Sequence, residues 1–439
     1  MTPPPVRSSR WRLAARSTQL LRAGLGGART FVREAHRRRG TDDALSGALG
    51  RACVDAATRL GATFIKVGQI ASTRADLLPV GLVRELATLR DQVPPFPFAE
   101  VRATIEREFG AALDTLYDDF EPEPVAAASV AQVHRARWRA TGDVVAVKVR
   151  RPDILEKVRL DRSILLFVGR TLERLVPSIR LMSLAEALRA FCDAVEEQSH
   201  LTNEASHNAR FAANFASDPD VHFPVLYPAG CSDAVLTMEF IDGVDESHLE
   251  ASGMDVPALV TTGMRCVCRM IFLHGFVHAD LHPGNLRFLA PYRLVLLDLG
   301  LVGRLDDADR RVFAELIFAL ASGDGRTVAR LFHEHSPHQA TADYPTYEAE
   351  IVAFVDNVRR QGLANLQVTG EIARIFDILR RHHIQARSHM TMVNLAMMTA
   401  EGLGKRLAPE LSLTDEALPY VMEALGMPTG RTAPGHNFP

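Results

Sequence analysis

The sequence predicts an α+β chain with a small antiparallel-sheet lobe, a larger helical lobe and a helical extension ahead of both. Three observations predict it. Short β-rich runs gather between residues 121 and 243, helical periodicity fills residues 41–120 and most of 244–428, and 439 residues with 47% hydrophobic content can bury one large or two moderate cores.

Residues 1–40 read as a basic arm, in which Arg7, Arg10, Arg12, Arg16, Arg22, Arg29, Arg33, Arg37, Arg38 and Arg39 are opposed only by Glu34. With Trp11, Leu13, Leu20, Leu21, Leu25 and Phe31 they suit an amphipathic helix on an anionic membrane, and equally a solvated basic tail. The Arg-rich, acid-poor composition also fits an organelle transit peptide; a bacterial cytoplasmic location, peripheral to the inner membrane, is the preferred reading. Residues 41–120 form a helical extension. Leu60, Phe64, Val67 and Ile70 through Leu77 recur at helix spacing, Leu82, Leu86 and Leu89 follow, and Val93-Pro-Pro-Phe-Pro-Phe98 ends the run.

Residues 121–243 form the small lobe, with strands at Val130–Ala136, Val144–Val149, Val221–Val225 and Ala234–Phe240 and one long helix, Leu184–Phe211, between the pairs. Residues 244–428 are helical apart from one loop and a strand at Leu294–Leu297, residues 429–439 are a Pro/Gly-rich tail, and no internal repeat is present. The most apolar stretch, Ala258 to Val277, is interrupted by Arg265 and Arg269 and reads as a buried helix, so no transmembrane segment is expected. The net charge of -3 gives no bulk attraction to nucleic acid. Cys53, Cys192, Cys231, Cys266 and Cys268 are odd in number and form no C-x-x-C pair, which fits a reducing compartment better than a disulfide framework or a zinc site.

The chemistry concentrates in His278-Ala-Asp280-Leu-His282-Pro-Gly-Asn285, followed by Leu296-Leu297-Asp298-Leu299-Gly300. Residue for residue these can be laid on the H-R-D-L-K-P-E-N catalytic loop and the D-F-G of protein kinases. Carboxylate and amide oxygens at this spacing suit a nucleotide triphosphate and a hard cation.

Lysine usage singles out a further residue. Of 50 Lys and Arg residues only Lys66, Lys148, Lys157 and Lys405 are lysine, so arginine serves wherever a generic cation suffices. Lys148 ends the alternating strand Val144-Val-Ala-Val-Lys148, which matches the kinase V-A-I-K, where a compact ammonium reaches the α and β phosphates and is steered by a helix glutamate. Glu204 is the candidate glutamate; the alternatives are an exposed strand lysine and a solvated helix face. Ala126, Ala127, Ala128 and Ser129 occupy the place of the kinase glycine-rich loop, yet alanine does not readily adopt the positive φ that glycine supplies. Met238-Glu239-Phe240-Ile241-Asp242-Gly243 resembles a kinase hinge, with backbone groups of Glu239 and Ile241 facing the adenine edge, or else is a plain strand ending in an Asp-Gly turn.

Together these residues resemble the UbiB (AarF) family of atypical protein-kinase-like proteins. The resemblance covers nearly all of residues 55 to 305. It includes Leu60-Gly-Ala-Thr-Phe-Ile-Lys66-Val-Gly68-Gln69, which matches the family's K-x-G-Q motif, then Ser72-Thr-Arg74-Ala-Asp76-Leu-Leu-Pro79 and Gln92-Val-Pro-Pro-Phe-Pro-Phe98. It implies a two-lobed protein-kinase-like fold in which the K-x-G-Q helices cover the cleft, favouring ATP hydrolysis or small-molecule phosphotransfer over protein phosphorylation. ATP and Mg2+ are the implied cofactors. Asp280 would be the catalytic aspartate, Asn285 and Asp298 the metal ligands, Lys148 and Glu204 the ion pair, Ala126 to Ser129 the nucleotide loop, and Lys66 and Gln69 would point toward the phosphates. The implied partners are a nucleotide, a lipid or phenolic small molecule and other proteins of quinone, isoprenoid or secondary-metabolite biosynthesis.

Two departures stand out. The family pattern E-x-D-F-x-x-E-A reads Gln198-Ser-His200-Leu-Thr-Asn-Glu204-Ala205 here, so both upstream acids are replaced, and Glu196 or Glu197 would project about 100° away per residue of shift. The second is at Met427-Pro-Thr-Gly-Arg-Thr-Ala-Pro-Gly, where some bacterial members carry a hydrophobic anchor, so any membrane contact is expected to be peripheral. The replaced acids motivate an alternative function, a nucleotide-binding scaffold with little turnover. His333, His335, His338, His382 and His383 read as surface or helix-end residues, since no second ligand group has diagnostic metal spacing.

Overall fold

Gly61 and Pro79 mark the breaks among the three helices that follow the basic arm. In the computed structural model, which describes residues 10–40, 44–72, 78–89, 94–175, 184–336, 343–361, 368–384, 387–411 and 413–428, helix α1 (Arg10–Arg37) is followed by α2 (Ala44–Leu60), α3 (Ala62–Ser72) and α4 (Val80–Leu86). Gly61 takes φ 91°, a left-handed conformation that breaks α2 from α3. Pro79 fixes the extended entry to α4, and Pro97 does the same for α5 (Phe98–Phe109). Arg74, Asp76, Gln92, Val93, His338 and the tail from residue 429 lie outside the described residues.

Contacts gather the chain into two units, Met1–Ala205 with Leu226–Phe240, and Ser206–Val225 with Ile241–Pro439. The first unit carries an antiparallel sheet of β1 (Tyr117–Asp118), β3 (Ala131–Trp138), β4 (Val144–Arg150) and β6 (Val235–Glu239) in that order, with β2 (Ala126–Ala127) also pairing to β3. One face buries Val145, Val147, Val149 and Val235 against Val101, Ile105, Tyr117 and Trp138, and the other places Ala146, Leu236 and Met238 with Leu201. The K-x-G-Q region has its own core. Ile65, Val67, Ile70, Leu82, Leu86 and Leu89 pack with Ile154 and Val158 of α6 (Ile154–Leu175) and with Phe191 and Val195 of α7 (Leu184–Gln198).

The expected single helix over Leu184–Phe211 is two helices, α7 and α8 (Leu201–Asn214). The chain breaks at Ser199–His200, where the Ser199 hydroxyl donates back to the Val195 carbonyl (2.7 Å) and the Leu201 amide donates to the Asp233 carbonyl (3.1 Å) instead of a helical partner. The strand expected at Val221–Val225 is shorter and lies elsewhere. β5 (Val221–His222) pairs in parallel with β9 (Arg293–Leu296) in the second unit, and Pro224, lacking an amide hydrogen, cannot extend the ladder.

The second unit is mostly helical: α9 (Val256–Cys268) running on as a π-helical segment to His274, then α10 (Asp307–Ser322), α11 (Gly325–Glu334), α12 (Tyr344–Gln361), α13 (Val368–Arg381), α14 (Ser388–Leu407) and α15 (Leu413–Ala424). Asp255, Asp306 and Asp324 cap α9, α10 and α11, each accepting a backbone N–H three residues on. Two small ladders hold the loop between them: β7 (Phe276–His278) with β10 (Val302–Arg304), and β8 (Leu286–Leu289) with β9. Among the described residues Val256–His274 alone is long and apolar enough to cross a membrane, and half of that stretch is buried within the protein. Its two arginines are paired, Arg265 with Glu416 and Arg269 with Asp218.

Candidate functional site

In the first unit, β4 presents Lys148 and α8 presents Glu204. The ammonium lies 2.8 Å from one carboxylate oxygen and 2.7 Å from the other, with side-chain exposures of 11% and 5%. Removing two charges from water is costly, and this bidentate contact offsets that cost only because both partners are held in place. Glu239 is the last residue of β6, opposite Val145, and the chain passes to the second unit at Ile241.

The alanine-rich segment is a tight hairpin. Ala126 and Ala127 pair with Val133 and Gln132, and the Ala128 amide donates to the Ala131 carbonyl (2.8 Å). No residue from Ala126 to Ala131 has positive φ, so the turn is built without the conformation that glycine would supply. Arg151 donates to the Ala128 carbonyl (2.9 Å) and to the Pro94 carbonyl (2.7 Å). Gln132 clasps the backbone of Phe96, accepting from its amide at 2.9 Å and donating to its carbonyl at 3.3 Å. Gln132 also donates to Nε2 of His134, whose Nδ1 therefore donates to the Glu121 carbonyl (2.8 Å), and burial pushes the His134 pKa down.

Gly68 and Gln69 of the K-x-G-Q motif face the chain end of α4. A methyl group on Gly68 would sit 2.3 Å from Leu89 Cδ1, and the Gln69 side-chain amide donates to the Leu89 carbonyl (3.3 Å). Lys66, half-buried, lies on the same helix. Gln198, at the end of α7, is buried with its Nε2 unpartnered. His200 donates from Nδ1 to Asp233 (2.8 Å), a partner 33 residues away that the sequence pattern does not single out.

In the second unit the loop after β7 is held by its own side chains. The Asp280 amide donates to Nδ1 of His278 (3.1 Å), the Gly284 amide to Nδ1 of His282 (3.1 Å), and the Asn285 carboxamide to the Asp280 carbonyl (3.0 Å). The Leu297 amide donates to the Asn285 carbonyl (2.9 Å), which ties this loop to Asp298, and Asp298 in turn accepts from the Gly300 amide (3.1 Å). His278 is fully buried; burial pushes its pKa down, against the pull of the Asp280 and Asp298 carboxylates. His207 on α8, another residue without a sequence signal, donates from Nδ1 to the Leu299 carbonyl (2.9 Å), while Arg304 donates to its Nε2 (3.4 Å).

The donor chemistry of this loop fits a hard cation. Asn285 contributes a carboxamide oxygen and Asp298 a carboxylate, the oxygen types that Mg2+ prefers, and the acids Asp280 and Asp298 share the vicinity of His278. Among the described residues, no three His, Cys, Asp or Glu side chains gather into a metal-holding cluster. His382, from the C-terminal histidines, pairs with Glu350 (3.1 Å).

The ABC1 atypical kinase-like domain model matches residues 88–332, and the UbiB helical domain model matches residues 351–412. The chain belongs to the UbiB/ABC1 family of atypical kinase-like proteins. Among solved structures it is similar to the Rv3197–erythromycin complex from Mycobacterium tuberculosis, at 20% identity over 80% of this chain and 93% of that chain, with a TM-score of 0.48.

Proposed function

We propose that the protein binds ATP with Mg2+ and acts as an ATPase or small-molecule phosphotransferase in quinone, isoprenoid-lipid or secondary-metabolite biosynthesis. The buried, bidentate Lys148–Glu204 pair carries this reading, because a chain so sparing of lysine keeps one where a kinase-type phosphate contact needs a compact ammonium. On this reading Lys148 binds the α and β phosphates, Ala126 to Ser129 cover them, Glu239 and Ile241 meet the adenine through their backbone, and Lys66, Gly68 and Gln69 act from the extension. Asn285 and Asp298 would hold the Mg2+, which when bound supplies charge neutralisation for the phosphates. Asp280 takes the proton of the attacking hydroxyl or water. Peripheral contact with an anionic membrane is supported by Leu21, Leu25 and Val32, exposed along one stripe of α1 among Arg22, Arg29 and Arg33.

A second reading, a nucleotide-binding scaffold for other biosynthetic proteins, draws on Gln198, whose buried Nε2 has no partner where the family has an acid. Purified protein with Mg-ATP separates the two. Hydrolysis stimulated by lipid or phenolic compounds and abolished in Asp280→Asn supports the enzyme; background hydrolysis, unchanged in that variant, with a persistent nucleotide-dependent thermal shift supports the scaffold.

A further inference from the structure

Beside the Lys148–Glu204 pair a second contact joins the same strand to the residues just ahead of the same helix. Arg150, two residues beyond Lys148 and on the same face of β4, donates from one nitrogen to the Asp233 carboxylate (2.6 Å), the Asp233 carbonyl (2.8 Å) and the Ser199 carbonyl (3.0 Å). The other Asp233 oxygen accepts from His200 Nδ1 (2.8 Å) and the Thr202 hydroxyl (3.3 Å). The Asp233 carbonyl also accepts the Leu201 amide, the first of α8, at 3.1 Å. Asp233 thus joins the end of β4 to the start of α8.

The spacings of the two contacts match. Residues two apart on a strand are separated by roughly 6.6 Å, and His200, the residue that leads into α8, precedes Glu204 by four positions, about 6 Å of helical rise. Arg150–Asp233–His200 and Lys148–Glu204 are therefore successive rungs between β4 and α8. The break between α7 and α8 makes the first rung necessary, since at Ser199–His200 the helix starts anew and takes its direction from Asp233. Burial raises the Asp233 pKa, but hydrogen bonds from Arg150 and His200 outweigh it and keep the acid ionised below its usual range.

We infer that His200 is a positioning residue: by holding Asp233 against Arg150 it fixes the first turn of α8 so that Glu204 meets Lys148. The consequence for nucleotide binding rests on the function proposed above, whereas the effect on Lys148 itself does not. The acid that the resemblance places at position 200 is supplied in this chain by Asp233, ahead of β6, and His200 completes the contact from the helix.

The test is lysine acylation of the full chain without nucleotide, using an N-hydroxysuccinimide ester and following each site by mass spectrometry. Lys148 is shielded by its ion pair, and Lys157 and Lys405 serve as internal references. His200→Ala and Asp233→Asn each speed Lys148 acylation on the order of tenfold, the effect of losing one charge-assisted hydrogen bond, with the references unchanged. His200→Asn, whose amide takes the place of Nδ1–H, stays within about twofold of the unmodified protein. An unchanged Lys148 rate in both disruptive variants, or acceleration of all sites together, overturns the inference. Mg-ATP added to the unmodified protein reports separately on the nucleotide reading, since its failure to shield Lys148 leaves the nucleotide-free rates standing.

Discussion

The Asn285 side chain spans its own loop to donate to the Asp280 carbonyl at 3.0 Å. One of the two proposed metal ligands therefore also sets the backbone of the proposed catalytic residue, so its structural and chemical roles are separable by experiment.

Asn285→Asp removes the donor and puts a carboxylate against a carbonyl at a position only 8% exposed. Losing that bond with an acceptor left unsatisfied costs about 1–3 kcal/mol. Denaturant unfolding without nucleotide or metal should show a lower midpoint of that size. An unchanged midpoint would mean that the loop is held by the His278 and His282 contacts alone.

The residues read from sequence were those whose chemistry is confined to short motifs: Lys148 through its rarity and strand, and Asp280, Asn285 and Asp298 through their loop. The fold class was legible for the same reason, since β3, β4 and β6 alternate and the helices are long. Pairings distant in sequence were not legible. Nothing near His200 points to Asp233, and nothing near His207 points to the Leu299 carbonyl. Strands as short as β5, β7 and β10 offer no period to detect, and the α7–α8 break depends on Asp233, contributed from another part of the chain.

Lys148→Ala removes the bidentate ammonium from Glu204, whose side chain is only 5% exposed. Breaking one side of such a pair costs about 3–5 kcal/mol, whereas apolar residues of similar size at both positions are close to neutral. Lys148→Ala should therefore unfold at lower denaturant than the double variant Lys148→Met with Glu204→Leu, while on the proposed function both lose nucleotide binding. Equal stability of the two variants would show that the Lys148 ammonium does not offset the burial of Glu204.

Gly68 has ordinary helical φ, so its requirement comes from the 2.3 Å approach of Leu89 Cδ1 and not from backbone strain. Gly68→Ala gains about 1 kcal/mol of helix propensity but crowds a packed side chain at a cost of about 1–3 kcal/mol. The sharp quantity is the coupling. In a double-mutant cycle with Leu89→Ala, the two losses should fall short of additivity by about 1 kcal/mol. Additive effects would place the contact of α3 with α4 elsewhere.

His134, His274 and His278 all have pKa values lowered first by burial, so below their unfolded value of about 6.5 the unfolded chain binds protons that the folded chain refuses. Their contribution to stability is therefore intact above pH about 6.5 and is lost as pH falls through and below that value, by at most about 1.4 kcal/mol per pH unit for each histidine. His278 has a second reason to stay neutral. Its Nδ1 accepts the Asp280 amide at 3.1 Å, and a proton there would face that amide hydrogen directly. His278→Asn keeps an acceptor for Asp280 and does not titrate, so its stability, though lower overall, should fall less steeply between pH 6.5 and 5.5, by about 1 kcal/mol per unit. Denaturant midpoints measured across that range decide it. A slope equal to that of the unmodified protein would move the acid sensitivity away from the Asp280 loop.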